Sequence, residues 1–441
     1  MLLAITGFLM IFIIIYALLQ SKAHAVPIFA IVPIIAAIIC GFDFVQISGF
    51  IKAGVAKTMP VAVLFIFSIE YFSIMAEVGL FDPMVNFLVK KAGSNVVLVT
   101  IATACIAIVA HLDGALVSTL LITIPAMLAI YKKLHMRPVV ICVIIGAAMS
   151  IMNLMPWGGP VARAGVVLNM DVNALWHTLI PLQLVGILLV IAFAFFMGLV
   201  EKKRGAGLQP TGKALELDED TSFARPVDSE EAKTLKRPKL LWFNALLTAG
   251  VIGLLCFTKI QLYAAFMLGL AIALMVNFPN AKMQAKRIKA HADTALSVPM
   301  ILLASGVFLG VLSGTKMMDA MAQLMVAVIP SVLGPYLHLI MGFFAVPFGM
   351  MLGTDSYFFG LMPLAISVGK QYGVDPTNMA QAMLIGKNFG VLVTPHAATT
   401  FLACGLAGVE LKEMLKFCAP YLWVLSWISL ILAILLGIVV I

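Results

Sequence analysis

Two short segments break apolar stretches of the chain, Asn153-Leu-Met-Pro-Trp-Gly-Gly-Pro160 in the first half and Val391-Leu-Val-Thr-Pro-His-Ala-Ala398 in the second. In the core of a lipid bilayer every backbone N–H and C=O group needs a partner within the protein, so irregular backbone is tolerated only where it lines an enclosed cavity. A matched pair of such breaks is the pattern expected of a transporter binding site. The two segments therefore predict that the chain carries a solute across a membrane.

The composition also indicates a membrane protein. Of the 441 residues, 63% are apolar and 11% are charged, and the mean hydropathy is +1.11. Such a chain is too apolar for a soluble domain with a polar surface. The formal charge of +8 comes from Lys and Arg in short loops, without an aromatic-interleaved basic stripe, so we expect no nucleic-acid partner. The six cysteines lie in apolar segments without CxxC spacing, which disfavours disulfides and zinc sites.

The apolar runs around Asp113 and Asp355 are too short to cross a bilayer separately, and they predict two re-entrant hairpins, near 96–131 and 336–369. With the N-terminus outside and both hairpins re-entrant, most of the 28 Lys and Arg residues fall in inside loops, as the positive-inside rule requires. The polar segment 201–240 then becomes a cytoplasmic linker.

Landmarks recur between the halves at spacings of 237 to 242 residues. The related pairs are Leu80-Phe-Asp-Pro-Met84 with Met317-Met-Asp-Ala-Met321, Asp113 with Asp355, Pro156 with Pro395, and Asp171-Val172 with Glu410-Leu411. In the topology above the two halves run in opposite directions through the membrane. The sequence therefore predicts an all-α polytopic membrane protein built as an inverted repeat, with two re-entrant hairpins and two broken transmembrane helices.

The predicted boundaries follow from these landmarks. The first repeat, 1–200, holds three scaffold helices, the hairpin near 96–131, a broken helix near 139–170 and a following helix at 176–200. After the linker 201–240, the second repeat, 241–441, holds the hairpin near 336–369 and a broken helix near 379–408.

Charged side chains at membrane depth are costly and are therefore functional candidates. Arg163 follows Pro160 in the first turn of a half-helix, where free N–H groups and a guanidinium fork suit a carboxylate, although snorkelling to the surface is an alternative. Lys387 could contact substrate, pair with Asp355 or serve as a structural charge. The candidate substrate-binding residues are Asn153, Pro156, Gly158, Gly159, Arg163, Lys387, Asn388, Thr394, His396 and Thr399.

Carboxylates at the hairpin tips can accept a proton, hold a cation or cap a helix, and the sequence leaves these roles open. Glu70, in the middle of an apolar run, could relay protons or be a neutral interhelical carboxyl, and His396 could relay protons or simply pack. The candidates for ion or proton coupling are Asp113, Asp355, Ser356, Glu70 and His111, and the candidate metal ligands are Asp113 and Asp355.

The string Leu154-Met-Pro-Trp-Gly-Gly-Pro-Val-Ala-Arg163, with His111-Leu-Asp-Gly114 and Gly386-Lys-Asn-Phe-Gly390 ahead of Thr394-Pro395, resembles the CitMHS family of citrate–metal-ion:proton symporters. The resemblance covers essentially the whole chain. It implies a symporter rather than an enzyme, importing citrate or a related carboxylate as a complex with Mg²⁺ or Ca²⁺, with protons as the coupling ion and no permanently bound cofactor. It also implies a homodimer of elevator type in the cell (inner) membrane. Val161 departs from the Thr that is common in the family, so the resemblance supports a carboxylate substrate more firmly than citrate in particular.

Two other kinds of function remain to be separated from this one. Among carriers, the alternative is a sodium-coupled symporter for dicarboxylates or other organic anions, with Na⁺ in place of H⁺. Outside carriers, a membrane-embedded enzyme would need a nucleophile–base pair or a metal motif such as HExxH, and neither is found. A passive channel would not need inverted hairpins with charged tips.

Overall fold

The computed structural model describes residues 1–20, 24–208, 234–258 and 260–441, which fold into helices joined by turns. In this part of the chain, eight helices are long and apolar enough to cross a membrane. The prediction of an all-helical polytopic membrane protein is confirmed. Most of the linker predicted at 201–240 lies outside the described residues.

The described residues of the first half form nine α-helices: α1 (Leu2–Leu19), α2 (Ala25–Ile39), α3 (Phe44–Glu77), α4 (Asp82–Ala92), α5 (Val96–Ala110), α6 (Leu116–Lys133), α7 (Pro138–Met152), α8 (Gly159–Leu168) and α9 (Val172–Lys203). A 3₁₀ turn, His111–Asp113, joins α5 to α6. The helices start where side chains or prolines satisfy the first backbone positions: Asn95 caps α5, Asp171 caps α9, and Pro138 opens α7.

From residue 241 onwards, the part of the chain that the structure describes forms ten further α-helices: α10 (Leu241–Phe257), α11 (Leu262–Asn277), α12 (Ala281–Gly314), α13 (Met317–Val328), α14 (Leu337–Phe343), α15 (Ala345–Asp355), α16 (Met362–Gln371), α17 (Pro376–Asn388), α18 (Ala398–Ala407) and α19 (Leu411–Leu435). A π-helical turn, Ser356–Leu361, joins α15 to α16. Within α15, Gly353 has φ 72° and ψ 178°, so the helical path is broken just before Asp355.

Two helices of the first half have counterparts of equal length in the second. Helices α3 and α12 both have 34 residues and begin at Phe44 and Ala281, 237 residues apart. Helices α8 and α18 both have ten residues and begin 239 residues apart, at Gly159 and Ala398. Each of these short helices ends in a left-handed residue, Asn169 or Gly408. Within these two pairs the lengths agree, and the short pair also agrees in its ending.

Helices α3 and α12 cross in direct backbone contact at the centre of the molecule. A Cβ atom placed on Gly54 would lie 1.9 Å from the Gly306 carbonyl oxygen, and one on Gly310 would lie 2.1 Å from the Phe50 carbonyl oxygen. Such contacts need small residues, which let helices in a membrane approach closely. This crossing holds the two helices in a fixed antiparallel register, with Thr58 opposite Gly306 and Glu77 opposite Arg287.

We expect Gly310→Ala to lower the thermal unfolding midpoint of the detergent-solubilised protein. The added methyl group forces the two helices apart, and overpacking of this kind costs about 1–3 kcal/mol. Gly250→Ala in α10 is the control, because no atom lies within 4 Å of that position and alanine favours a helix over glycine. Equal midpoints for the two variants would show that the crossing tolerates the methyl group.

Candidate functional site

Each hairpin tip touches the helix break of its own half. We call residues 111–115 the first tip and 353–356 the second tip, and residues 153–158 the first break and 389–397 the second break. Gly114 has φ +70°, and a Cβ there would lie 3.1 Å from the Trp157 carbonyl oxygen. Gly353 has φ +72°, and a Cβ there would lie 2.9 Å from His396 Nε2. Both glycines supply a left-handed backbone and a close approach that other residues resist.

Hydrogen bonds fasten the first tip to the first break. His111 is buried, with Nδ1 2.6 Å from Thr119 Oγ1 and Nε2 3.1 Å from Asn153 Oδ1. Trp157 Nε1 donates to the Leu112 carbonyl oxygen at 2.8 Å. Both ring nitrogens of His111 are thus engaged, and the side chain links the hairpin to the broken helix.

The two tip carboxylates have different partners. Asp113 accepts hydrogen bonds from the Ala115 N–H group at 2.8 Å and from the Ser118 hydroxyl, so it stabilises the start of α6 within its own hairpin. Asp355 instead bonds Arg163 of the other half, with both Nε and Nη2 of the guanidinium 2.8 Å from Oδ1. Relative to the tip glycines, Asp113 precedes Gly114, whereas Asp355 follows Gly353.

Arg163 lies in the first turns of α8 and is only 7% exposed. Besides its ion pair, it donates from Nη1 to the Gly159 carbonyl oxygen at 3.1 Å. The guanidinium is therefore held at the start of a half-helix, beside the backbone N–H groups that the helix leaves free. A carboxylate is already bound there, that of Asp355.

Lys387 is fully buried at the end of α17, and its Nζ has no hydrogen-bond partner among the described residues. Its side chain runs along Gly349, where a Cβ would lie 2.2 Å from Lys387 Cδ. Asp355 attracts its charge and Arg163 repels it. The amide of Asn388 and the hydroxyl of Ser356 are likewise buried without a partner in the described part of the chain. Buried polar atoms of this kind ordinarily bind water or a ligand.

A cavity of about 280 Å³ lies between the tips, the first break and the central helices α3 and α12. Small-molecule sites occupy roughly 300–1,000 Å³, so the cavity is near the lower end of that range. Five residues predicted from the sequence line it: Asp113, Asn153, Gly159, Arg163 and Thr399. Other lining residues were not predicted: Phe65, Ile69, Gly114, Trp157, Pro160, Thr294, Val298, Thr354 and Val391 are among them.

The remaining predicted residues lie around this cavity. In the first break, Gly158 packs against its own backbone, where a Cβ would lie 2.7 Å from the Asn153 carbonyl oxygen, and Pro156 lies beside it. In the second break, Thr394 donates to the Gly390 carbonyl oxygen at 2.9 Å, and His396 contacts the second tip. Among the described residues, no group of three or more His, Cys, Asp or Glu is placed to hold a metal ion.

Four of the lining residues that sequence reasoning missed come from α3 and α12: Phe65, Ile69, Thr294 and Val298. Phe65, Ile69 and Val298 are ordinary apolar residues of membrane helices, and no local pattern separates cavity walls from lipid-facing positions. Thr294 carries a hydroxyl, but it stands next to a charged stretch that indicates a loop end rather than a site. These positions become visible only once the two halves are packed together.

Residues 4–386 match the family model CitMHS, described as citrate transporter. The chain belongs to the CitMHS family. Two relatives from Bacillus subtilis (strain 168) are similar along nearly their whole length. One, named "Citrate transporter", is 37% identical over 437 residues, covering 99% of each chain. The other, named "Mg(2+)/citrate complex secondary transporter", is 34% identical over 435 residues, covering 99% of this chain and 98% of the relative.

We expect Arg163 and Asp355 of this CitMHS protein to be coupled energetically in a double-mutant cycle of Arg163→Gln and Asp355→Asn. Each single change strands a largely buried charge, whereas the double change removes both, so the double variant should be more stable than additivity predicts, by about 0.5–3 kcal/mol. Unfolding of the detergent-solubilised protein measures this coupling. Arg163→Gln combined with Asp375→Asn, at the cap of α17, is the control that should be additive. Additivity in the first pair would mean that the ion pair contributes nothing.

Proposed function

We propose that this protein is a secondary active symporter that imports citrate or a related carboxylate, as a complex with a divalent cation, driven by protons. The observation that carries this proposal is the Arg163 guanidinium, buried at a cavity wall and already bound to a carboxylate. The names of the two relatives support citrate and a magnesium complex as the cargo.

In this proposal a substrate carboxylate takes the place of Asp355 on Arg163. Asp355 neutralises the guanidinium while the carrier is empty, which avoids an uncompensated buried charge. When substrate binds, Asp355 becomes free to face the unpartnered Lys387 ammonium or the metal ion of the cargo. Citrate as a trianion combined with a divalent cation carries one net negative charge, the same as the Asp355 carboxylate that it displaces.

The other predicted residues supply oxygen and nitrogen ligands around the cargo. Mg²⁺ and Ca²⁺ prefer oxygen ligands, and Mg²⁺ is usually held by one or two carboxylates, waters and the substrate itself. The carboxylates of Asp113 and Asp355 and the amide oxygen of Asn153 fit that preference. At and beside the second break, we assign substrate contacts to Lys387, Asn388, Thr394, His396 and Thr399. We assign coupling roles to Ser356 in the second tip, His111 in the first tip and Glu70 on α3.

We further propose that residues 1–200 and 241–441 are inverted repeats joined by a cytoplasmic linker, with the N-terminus outside and the protein in the cell membrane. The recurrence of helix order, length and spacing supports this arrangement. The cavity lies between the tips and breaks on one side and α3 with α12 on the other. That division suits an elevator, in which the hairpins and broken helices move against a scaffold that also forms a homodimer.

We expect single cysteines to report opposite sides of the membrane when placed at Lys132 and Lys370, both exposed at the base of a hairpin. In intact cells, with the six native cysteines replaced, a membrane-impermeant maleimide should label Lys370→Cys directly and Lys132→Cys only after permeabilisation. The two positions serve as controls for each other. The reverse pattern would show that the proposed orientation in the membrane is wrong. Labelling of both positions from outside would contradict the inverted repeat.

Transport itself is tested in proteoliposomes containing the wild-type protein and supplied with labelled citrate. We expect accumulation against the citrate gradient when an inward proton gradient and Mg²⁺ or Ca²⁺ are present, and none when either is withheld. Citrate accumulation should be the same whether the monovalent cation in the buffer is Na⁺ or choline. Accumulation of free dicarboxylates that requires Na⁺ would favour the sodium-coupled alternative, and passive equilibration alone would indicate a channel.

The matched variants for this assay are Arg163→Lys and Arg204→Lys. Lysine keeps the charge at 163 but loses the guanidinium fork, so carboxylate binding should weaken by about 2 kcal/mol, roughly 30-fold in affinity. Arg204 is a matched control because its Nη2 atom pairs with Glu201 Oε2 at 2.9 Å and it does not line the cavity; it should tolerate the same change. Near-normal citrate affinity in Arg163→Lys would make Arg163 a structural residue.

A further inference from the structure

A second group of ionisable side chains lies between the central helices, outside the ring of tips and breaks. Helix α3 contributes Glu70 and Glu77, two helical turns apart on one face, and α12 contributes Arg287 and His291, one turn apart. Arg287 Nη1 bonds Glu77 Oε1 at 2.7 Å, and His291 Nε2 lies 3.6 Å from Glu77 Oε2. Glu70 interacts electrostatically with both His291 and Glu77. We call these four residues the interhelical cluster.

The cluster contains polar atoms that lack partners. Glu70 is only 4% exposed, and its Oε2 has no hydrogen-bond partner among the described residues. The same holds for Glu77 Oε2 and His291 Nε2, which face each other just beyond hydrogen-bond distance. Burying a carboxylate without a partner is expensive, so these atoms are expected to bind something that the described residues do not supply.

Charge balance indicates what that ligand is. Within the cluster two carboxylates face one guanidinium, so with a neutral imidazole the group carries one excess negative charge in a poorly solvated place. One added proton, held either by Glu70 or by His291 in its contact with Glu77, removes the excess charge. A metal ion is disfavoured, because Arg287 already occupies Glu77 and no group of three metal-binding side chains is found in the described residues.

The cluster connects the cavity to the surface. Ile69, next to Glu70, and Thr294, one turn beyond His291, both line the cavity. Seven residues separate Glu70 from Glu77, roughly 10 Å along the helix. The side chains of Glu77 and His291 are 16% and 21% exposed, whereas Glu70 is buried. The cluster therefore runs from the cavity wall towards the end of α3 that the proposed topology places at the cytoplasm.

We propose that Glu70, Glu77, Arg287 and His291 form the proton-binding site through which the coupled proton leaves the cavity for the cytoplasm. Glu70 accepts the proton at the cavity wall and passes it to His291, whose imidazolium pairs with Glu77 before losing the proton to water. Each transfer returns the donor to its starting charge. This inference rests on the proposed proton coupling and adds to it a site separate from the carboxylate site at Arg163.

Among the residues that the structure describes, the following charged and titratable groups lie on the elements next to the cluster. The segment before α10 holds Lys236, which bonds Asp82 at 3.1 Å, and Arg237, whose backbone N–H bonds the Val78 carbonyl oxygen. Tyr71, beside Glu70, is engaged with a hydroxyl of α10. Across the cavity stands Asp113, held by its own hairpin. On α12 itself the other charged residues nearby are Lys286, Lys289 and Asp293.

The test compares Glu70→Gln with the wild type in proteoliposomes under two regimes. The first is citrate accumulation driven by a pH gradient, with the external pH constant and the lumen buffered at a series of pH values. The second is citrate exchange at equal pH on both sides. Glutamine keeps the size and polarity of Glu70 but cannot titrate. We expect Glu70→Gln to lose both the accumulation and its dependence on lumenal pH, while exchange continues. His291→Gln should show the same split.

Asp293→Asn is the control, because this exposed carboxyl lies two residues from His291 but outside the cluster; it should behave as the wild type. Citrate-dependent thermal stabilisation verifies that each variant folds and binds. Full accumulation with the normal lumenal pH dependence in Glu70→Gln and His291→Gln would overturn the inference, as would equal loss of accumulation and exchange in proteins that still bind citrate. Failure of the proposed function is distinguishable, because the wild type itself would then not respond to the pH gradient.

Discussion

The structure depends on one constraint: polar backbone inside a bilayer must find partners within the protein. The two breaks meet it in different ways. In the first break, short-range bonds run from Leu154 to Ile151 and from Gly158 to Met155, and Trp157 reaches across to the first tip. The second break also has short-range backbone bonds, from Gly390 to Lys387 and from Ala397 to Thr394, and it adds a side-chain hydroxyl: Thr400 donates towards both the Leu392 and Thr394 carbonyl oxygens. Both solutions require the breaks to be enclosed, which is why the tips lie on them.

Enclosure of the breaks brings charged groups of the two halves together. Once each tip glycine lies on its own break, Asp355 and Arg163 meet across the middle of the molecule, although 192 residues separate them in sequence. Lys387 is left beside this pair without a partner of its own. An ion pair next to a buried amine without a partner is poised to rearrange, because Asp355 attracts Lys387 whenever that amine is protonated. A site with fully matched charges would give an incoming anion no reason to bind.

Much of this arrangement could be predicted from the sequence, because its signals are local. Pro and Gly in apolar runs located the breaks, and charged tips between short runs located the turns of the hairpins. Arg163 and Asp113 line the cavity as those signals suggested. The pairing of Asp355 with Arg163 could not be predicted, since nothing local separates it from a pairing with Lys387. The cavity walls on α3 and α12 were missed because no local pattern marks them. Glu70 was recognised, but His291 and Glu77 of the same interhelical cluster were not.

The difference between the two tip aspartates has a consequence for coupling. Landmark spacing suggested that Asp113 and Asp355 are equivalent, but the tip glycines Gly114 and Gly353 match better. Gly114 lies against Trp157 and Gly353 lies against His396, and both the glycines and these break residues are 239 residues apart. The aspartates then lie on opposite sides of their glycines and do different work. Asp113 is satisfied by its own hairpin, whereas Asp355 is satisfied only by the residue that substrate is proposed to claim. Under the proposed function, a cargo with one net negative charge therefore replaces Asp355 on Arg163 without changing the charge there. The proton can then be bound elsewhere, on helices that need not move with the cargo.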